Sequence, residues 1–260
     1  MLQDENVRIE ILKSRKRGVQ LFFFILFIFF ISLGLIGVVG AVDCGDVTTT
    51  TTMDQNVAST TTCFNITADN AILDCNGYII TGEQNGYGIN ASGRLNITLK
   101  NCRITNFTTA VNLENVNKSL MDNLTAYNNV GNFTGIYLYQ SNNNNLTNLN
   151  FSRNNASYNA GLYLNNSDYN LVENSTFNYN NVNYYDTLIW LDGGGILGLY
   201  NYSDNNSFNN NNFTNNNVTV DPGIVGGGII GIYSHVRNNS FNNTNILSNI
   251  ITASSFLTGG

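Results

Sequence analysis

The chain has 260 residues, enough for one or two globular domains. Hydrophobic residues make up 42% of it, charged residues only 11%, and there are 50 asparagines and a single proline; so many apolar residues exclude a disordered chain. The formal net charge of −6 argues against a nucleic-acid-binding protein, which needs basic patches to neutralise phosphates.

A basic cluster followed by an apolar run opens the chain. The cluster consists of Lys13, Arg15, Lys16 and Arg17, and the apolar run extends from Leu21 to Val42. About 20 apolar residues are enough to span a bilayer as a helix. Because a basic flank stays in the cytoplasm, this arrangement predicts that everything after the run is exported.

The apolar run is either a cleaved signal peptide or an uncleaved membrane anchor. Small residues before position 42 suit signal-peptidase cleavage after Ala41, whereas the length of the run suits an anchor through residues 21–42. Both readings predict an extracellular or cell-surface location, secreted or membrane-anchored. The exported part keeps six basic and fourteen acidic residues, a formal net charge of −8, which again argues against nucleic acid as a partner.

All four cysteines, Cys44, Cys63, Cys75 and Cys102, lie in the exported part. An even number of cysteines in an oxidising compartment favours disulfides over a metal site. Cys44 and Cys63 bracket an irregular Thr-rich stretch, and we predict a disulfide between them. Cys75 and Cys102 lie near equivalent points of neighbouring repeats; they are either bonded or stacked as small apolar residues, and we favour stacking.

Six segments share the pattern apolar, any, Asn, any, any, apolar. Their asparagines are separated by 22, 25, 26, 36 and 33 residues, and this self-similarity predicts a repeat architecture. A second mark, Gly or Ala before an aliphatic residue, recurs in step from Gly88-Ile89 to Gly228-Ile229. Short runs such as Ile136-Tyr137-Leu138 alternate between apolar and polar residues, which predicts short strands. The six pattern asparagines are Asn101, Asn123, Asn148, Asn174, Asn210 and Asn243.

Two or three short strands fill each repeat, and this predicts an all-β parallel β-helix of about seven coils, preceded by one N-terminal hydrophobic helix. Such a stack would be about 30–35 Å long. Stacked side-chain amides hydrogen-bond up and down a solenoid, and Asn tolerates the left-handed backbone of sharp turns. We therefore predict that the six pattern asparagines form one buried or half-buried ladder. The flanking apolar residues should line the interior: Leu99, Ile104, Leu146, Phe151, Val172, Phe177, Phe208, Phe213, Phe241 and Ile246.

One part of the sequence runs from Cys44-Gly45-Asp46 through residues 66–77 and 79–82, and a second part runs from Leu95 to Cys102. Both parts resemble the opening coils of right-handed parallel β-helix repeat proteins. These are surface proteins of archaea and bacteria in the pectate-lyase-like superfamily. The resemblance covers residues 44–250 and implies a right-handed helix of three-sheet coils under an N-terminal cap. It implies no single activity, because this fold carries lyases, hydrolases, epimerases, adhesins and inert stalks.

This interpretation divides the chain into three segments. Residues 1–42 form a cytoplasmic basic stub plus the signal peptide or anchor, residues 43–70 the N-terminal cap, and residues 71–260 the parallel β-helix. The sequence ends where a new coil would begin, so we expect the C-terminal cap of the β-helix to be missing. Either the chain is a fragment or a partner covers the open edge of the last coil.

The repeat lengthens in two successive coils, near residues 181–192 and 218–225. Insertions in adjacent coils should emerge at the same edge, and loops on a rigid scaffold often bind ligands. Rings there could stack on sugars, and carboxylates could accept hydroxyl hydrogen bonds or hold Ca²⁺. The alternative is an extra strand pair with its own apolar core. The candidate ligand-binding residues are Tyr184, Tyr185, Asp186, Trp190, Asp192 and Asp221.

Catalytic residues are not evident. In the family that this chain resembles, hydrolases use near-adjacent Asp residues with a supporting His, and lyases use Ca²⁺-holding Asp clusters with a basic residue. In this chain the acidic residues are scattered singly and His235 is the single histidine. A copper site would need Met, His or thiolate ligands, and only Met53, Met121 and His235 qualify, so we predict no metal site.

The sequence therefore predicts an exported structural or carbohydrate-binding scaffold, without catalytic residues and with no cofactor unless Ca²⁺ binds. Its expected partners are glycans or components of the cell envelope. The alternative is a polysaccharide hydrolase or lyase, or a fragment of one. About eighteen Asn-x-Ser/Thr sequons make glycosylation an option; Asn123 and Asn174 should stay unmodified if the predicted ladder is buried.

Overall fold

The structure is a computed structural model, and it describes residues 41–184, 194–220 and 228–253. The predicted hydrophobic helix and its basic stub therefore lie outside the described residues, apart from the last two positions of the apolar run. Within the described ranges, no helix is long and apolar enough to cross a membrane.

Short strands separated by sharp turns make up the described chain, which winds through eight successive coils. The first four coils contain β1 Gly45–Val47, β2 Thr50–Thr52 and β3 Val57–Ala58; β4 Phe64–Ile66, β5 Ile72–Asp74 and β6 Ile79–Thr81; β7 Tyr87–Ser92, β8 Thr98–Lys100 and β9 Arg103–Thr105; β10 Thr109–Glu114, β11 Leu120–Asp122 and β12 Thr125–Tyr127.

In the later coils an additional strand can precede the regular three. These coils contain β13 Val130–Phe133, β14 Ile136–Tyr139, β15 Asn145–Thr147 and β16 Asn150–Ser152; β17 Asn155–Asn165, β18 Leu171–Glu173 and β19 Thr176–Asn178; β20 Asn181–Tyr184, β21 Gly195–Tyr200, β22 Ser207–Asn209 and β23 Asn212–Thr214; β24 Asn217–Val220, β25 Gly228–Tyr233, β26 Ser240–Asn242 and β27 Asn245–Leu247. The last described strand is β28 Ile250–Ala253.

Each strand pairs in parallel with its counterpart one coil later, which produces three parallel sheets. Sheet A runs β1-β4-β7-β10-β14-β17-β20-β24-β28 and also includes β13, β21 and β25. Sheet B runs β2-β5-β8-β11-β15-β18-β22-β26, and sheet C runs β3-β6-β9-β12-β16-β19-β23-β27. The all-β parallel β-helix is confirmed, with eight coils among the described residues against about seven predicted. Residues of the predicted cap supply the first strand of every sheet.

Alternation within the three-residue strands places the middle side chain inside the coil. Phe151, Phe177 and Phe213 occupy this position in sheet C and stack ring on ring, with centroids 4.7 and 4.3 Å apart. Eight of the ten predicted interior residues are buried. The exceptions are Phe241, which is half-buried, and Ile246, which is 49% exposed, because their coil packs against a described coil on one side only.

Two disulfides tie the first three coils together. Cys44 bonds Cys63 as predicted, with a Cα–Cα distance of 4.6 Å. Cys75 also bonds Cys102, at a Cα–Cα distance of 4.7 Å, so the favoured stacking of free thiols is wrong. The reason is geometric: equivalent positions in adjacent coils are separated by the strand spacing of about 4.8 Å, which falls within the range that a disulfide spans.

The six pattern asparagines lie at the sharp turn between sheet B and sheet C, all with positive φ between 49° and 57°. Asn123 donates to Asn101 at 2.9 Å, and Asn243 to Asn210 at 3.2 Å. Asn148 instead donates to Asp122 at 2.8 Å. A residue at the tip of such a turn points its side chain outward, so five of the six are exposed and Asn101 is half-buried. The predicted burial of this ladder is therefore wrong. Burial was the reason for expecting Asn123 and Asn174 to stay unglycosylated, so that expectation no longer has a basis.

Buried asparagine ladders do exist, but at the other two turns of the coil. One precedes sheet A, where the side chains of Asn129, Asn154, Asn180 and Asn216 are 0–1% exposed. Asn154, Asn180 and Asn216 each accept a hydrogen bond from the backbone N–H of the preceding ladder member, at 2.9–3.1 Å, and Asn129 accepts one from Phe107 at 2.9 Å. The other precedes sheet B and follows the same rule through Asn144, Asn170, Asn206 and Asn239.

Asn180 shows how completely these side chains are used. Its Nδ2 donates to the carbonyl of Phe151 at 2.9 Å and to Asn216 Oδ1 at 3.0 Å. Its Oδ1 accepts from the backbone N–H and the Nδ2 of Asn154 at 3.1 and 3.2 Å. One side chain thus satisfies buried polar groups on the coils before and after its own, which would otherwise destabilise the turn.

Replacing Asn180 by Ala should lower the free energy of unfolding by about 3 kcal/mol or more, because it strands several buried polar groups at about 1–3 kcal/mol each. Asn174→Gly is the matched control: it changes an exposed turn residue of the same coil to another residue that accepts positive φ, so the expected cost is below about 1 kcal/mol. Urea unfolding followed by far-UV circular dichroism measures both. Equal losses in the two variants would contradict the assignment of the buried ladder.

Candidate functional site: an aromatic strip on sheet A

The two lengthened coils depart from sheet A at equivalent positions. One connects β20 to β21 and the other β24 to β25. In the register of these strands Tyr184 pairs with Val220 and Gly195 with Gly228, so the insertions leave and rejoin the sheet side by side. Of the predicted ligand-binding residues, Tyr184 ends β20, whereas the other five lie outside the described residues: Tyr185, Asp186, Trp190, Asp192 and Asp221.

A change of register marks the same part of sheet A. The eleven-residue strand β17 pairs with β13 and β20 through its first half and with β14 and β21 through its second half. The register shifts between Asn159 and Leu162, so Leu162 pairs with Ile136 on one side and with Leu197, not Ile196, on the other. The recurring Gly-Ile mark is therefore offset by one residue in the seventh coil. Such bulges re-aim side chains and are common beside functional sites.

Aromatic side chains line the outer face of sheet A across these coils. We call Tyr137, Tyr163, Tyr200 and Tyr233 the aromatic strip. Tyr137 pairs in register with Tyr163, and Tyr200 with Tyr233, but Tyr163 pairs with Gly198, so the strip shifts by two residues along the strand between β17 and β21. Successive ring centroids are 5.7, 6.4 and 6.2 Å apart. Phe133 packs beside the strip, 4.9 Å from the rings of both Tyr137 and Tyr163. The strip thus spans four coils beside the bases of both insertions.

The strip has a buried centre and more accessible ends. Tyr163 is 2% exposed, whereas Tyr137, Tyr200 and Tyr233 are half-buried. Burial raises the pKa of Tyr163, and its contacts with Tyr158 act in the same direction. Burial also raises the pKa of Tyr137, although the Asn165 amide that donates to its Oη at 3.4 Å opposes the shift. These two phenols therefore stay neutral at physiological pH.

A shallow pocket of about 170 Å³ lies further along the same face. It is formed by neighbouring residues of β13, β17 and β20, and its described lining consists of amide, hydroxyl and apolar groups without a charge. Such a pocket can accept a neutral polar group through hydrogen bonds. The lining residues are Val130, Gly131, Asn132, Asn155, Ala156, Ser157 and Asn183.

Exposed rings continue around the corner that follows the strip. Tyr202 is 49% exposed and stacks on His235 with centroids 4.9 Å apart, and Tyr169 in the preceding coil is 59% exposed. All three have φ between 56° and 59°, which bulky residues seldom adopt. Asn fills most such turns in this chain, so rings here carry a conformational cost of the kind that clusters at binding sites. His235 itself is exposed.

The carboxylates of the described coils act mainly as links between turns. Asp168 Oδ1 accepts the backbone N–H of Asp204 at 2.7 Å, and Asp204 Oδ1 accepts that of Arg237 at 2.6 Å. Asp122 accepts from the Thr147 hydroxyl at 2.7 Å. In the ranges that the structure describes, no three His, Cys, Asp or Glu side chains lie close enough to hold a metal ion. The aromatic strip can therefore contact a ligand through its rings and through hydrogen bonds of its phenolic hydroxyls.

Comparison with known proteins identifies the architecture. A family model described as "Right handed beta helix region" matches residues 48–259. Among solved structures, the crystal structure of pectate lyase Pel9A aligns with 83% of this chain and 71% of that protein, at 17% identity and a TM-score of 0.37, a level that carries no argument about activity. A search of curated proteins finds no match.

Tyr163→Phe tests the buried centre of the strip. At neutral pH the variant loses the hydrogen bond with Tyr158, which should lower the free energy of unfolding by about 1 kcal/mol. Because the pKa of Tyr163 is raised in the folded state, wild-type stability falls as the pH rises above about 10, where an unfolded tyrosine ionises. The difference between the two proteins should therefore shrink above that pH in urea unfolding. The same difference at pH 7 and at alkaline pH would contradict the burial of this phenol.

Proposed function

The chain belongs to the right-handed β-helix family whose model matches residues 48–259, and we propose that it is a non-catalytic carbohydrate-binding scaffold at the cell surface. The observation that carries this proposal is the aromatic strip, in which four rings contact one another in succession across four coils of a solenoid. An elongated row of aromatic side chains suits successive sugar units of an extended glycan. The half-buried Tyr137, Tyr200 and Tyr233 can offer apolar ring surface and a hydroxyl, and the buried Tyr163 packs between Tyr137 and Tyr200.

The surroundings of the strip support binding of an uncharged glycan. The phenols of Tyr137 and Tyr163 are kept neutral, and the adjacent pocket is lined by the Asn132, Asn155 and Asn183 amides and the Ser157 hydroxyl. Amides and hydroxyls can both donate and accept hydrogen bonds, as sugar hydroxyls require. The net charge of −8 after residue 42 would repel a polyanionic glycan.

Export is the second part of the proposal. The basic cluster and apolar run before residue 43 support secretion or anchoring in the membrane with the coils outside the cell. The two disulfides are consistent with an oxidising compartment. Components of the cell envelope and glycans would then be the partners, and Asp186, Asp192 and Asp221 could add Ca²⁺ as a bridge to sugar hydroxyls.

A glycan array combined with a reducing-end assay tests the proposal. The wild-type protein should bind neutral oligosaccharides without releasing reducing ends. The double variant Tyr200→Ala/Tyr233→Ala should bind about tenfold more weakly, because two half-buried rings lose their contacts, an effect of about 1.4 kcal/mol.

Tyr179→Asn is the control for this pair. It removes a tyrosine that is 59% exposed at a different turn, with φ of 57°, and replaces it with a residue that favours that backbone; its binding should match that of the wild type. Thermal unfolding by circular dichroism verifies that both variants fold. Unchanged binding by the double variant, or release of reducing ends by the wild type, would overturn the proposal.

A further inference from the structure

The outer face of sheet C carries a second regular surface, distinct from the aromatic strip. Strands β12, β16, β19 and β23 are each three residues long, with a buried middle residue and two half-buried outward residues. We call the eight outward residues the sheet C grid. They are Thr125, Tyr127, Asn150, Ser152, Thr176, Asn178, Asn212 and Thr214.

The grid is regular. Its strands pair without a register shift, so Thr125, Asn150, Thr176 and Asn212 form one row and the other four residues form a parallel row. Neighbours within a row are about 4.8 Å apart, and the two rows are about 6.6–6.8 Å apart along the strands. The result is a regular two-dimensional array of hydroxyl and amide groups.

None of the eight grid residues carries a charge, which is not true of the neighbouring sheet. Over the same four coils, the outer residues of sheet B include two charges, Asp122 and Glu173, and the row continues with Lys100 and Asp74 in the two preceding coils. On sheet C the first charge lies at the border of the grid, where the guanidinium of Arg103 lies 5.9 Å from the Tyr127 ring. The same scaffold thus presents one charged face and one neutral face.

Hydrogen bonds between coils hold the grid in place. Thr176 Oγ1 donates to Asn150 Oδ1 at 3.3 Å, and Thr214 Oγ1 donates to Asn178 Oδ1. Threonine is also stiff about χ1. A surface that is ordered before binding loses little side-chain entropy when a ligand docks, and this favours a ligand that is itself rigid and repeating.

From this geometry we propose that the sheet C grid docks the protein onto an insoluble neutral polysaccharide. The chains of such a solid offer a regular lattice of hydroxyls that matches the grid in charge, in regularity and in hydrogen-bonding chemistry. The aromatic strip would still bind single glycan chains. This inference rests on the proposed carbohydrate-binding function but assigns a separate surface to the solid.

Sedimentation with microcrystalline cellulose, chitin or insoluble mannan tests this inference. The wild-type protein should co-sediment with at least one of the three. Ser152→Lys/Asn212→Lys places charges in two coils of the grid and should reduce the bound fraction about tenfold. The matched control Thr147→Lys/Asn209→Lys makes the same changes in the same coils on sheet B and should bind as the wild type does.

The outcomes separate the two proposals. If no solid binds while the glycan array still shows binding, the grid inference alone is overturned; if neither binds, the proposed function is overturned too. Equal losses in the two Lys pairs, or inhibition of ice growth without binding to any polysaccharide, also overturn the grid inference. Thermal unfolding verifies folding, and Ser152→Lys alone replaces the double variant if that variant is unfolded.

Discussion

The rest of this molecule depends on the hydrogen bonds that buried asparagines make at the turns before sheets A and B. Each coil must turn sharply between strands, and each turn brings backbone N–H and C=O groups inside the stack, away from water. Asn154 and Asn180 meet this requirement by hydrogen-bonding along the axis, from one coil to the next. Because an unsatisfied buried group costs about 1–3 kcal/mol, these side chains hold the coils in register.

Because the hydrogen bonds that hold the coils together lie inside the stack, the outer faces of the three sheets can carry different side chains. In most of the three-residue strands the middle residue belongs to the core, so the outward residues are not needed for packing inside the coil. Sheet A presents stacked tyrosines, sheet B presents charges such as Asp122 and Glu173, and sheet C presents neutral hydroxyls and amides. Differences between faces of one solenoid are therefore informative about binding, whereas the repeat itself is informative only about the fold.

The sequence pattern predicts the coils well because periodicity reports on strand pairing, and it predicts side-chain burial less well. Asn174 and Asn180 are both asparagines beside a strand, yet one is exposed and the other buried. An asparagine follows five of the six pattern asparagines at a distance of six residues, so this second set was visible in the sequence. The Cys75–Cys102 bond follows from the distance between coils, which spacing alone does not resolve. The aromatic strip required the pairing register, because the bulge in β17 breaks the simple count from Tyr163 to Tyr200.

Hydrogen exchange at the turn amides measures the central interaction most directly. The backbone N–H of Asn129, Asn154 and Asn180 each donates to the Oδ1 of the next ladder asparagine. These amides should exchange as slowly as those in β16 and β19, although they lie in turns. Exchange at the rate of solvent-exposed loops would show that the side chains do not hold the coils together, and would contradict this account.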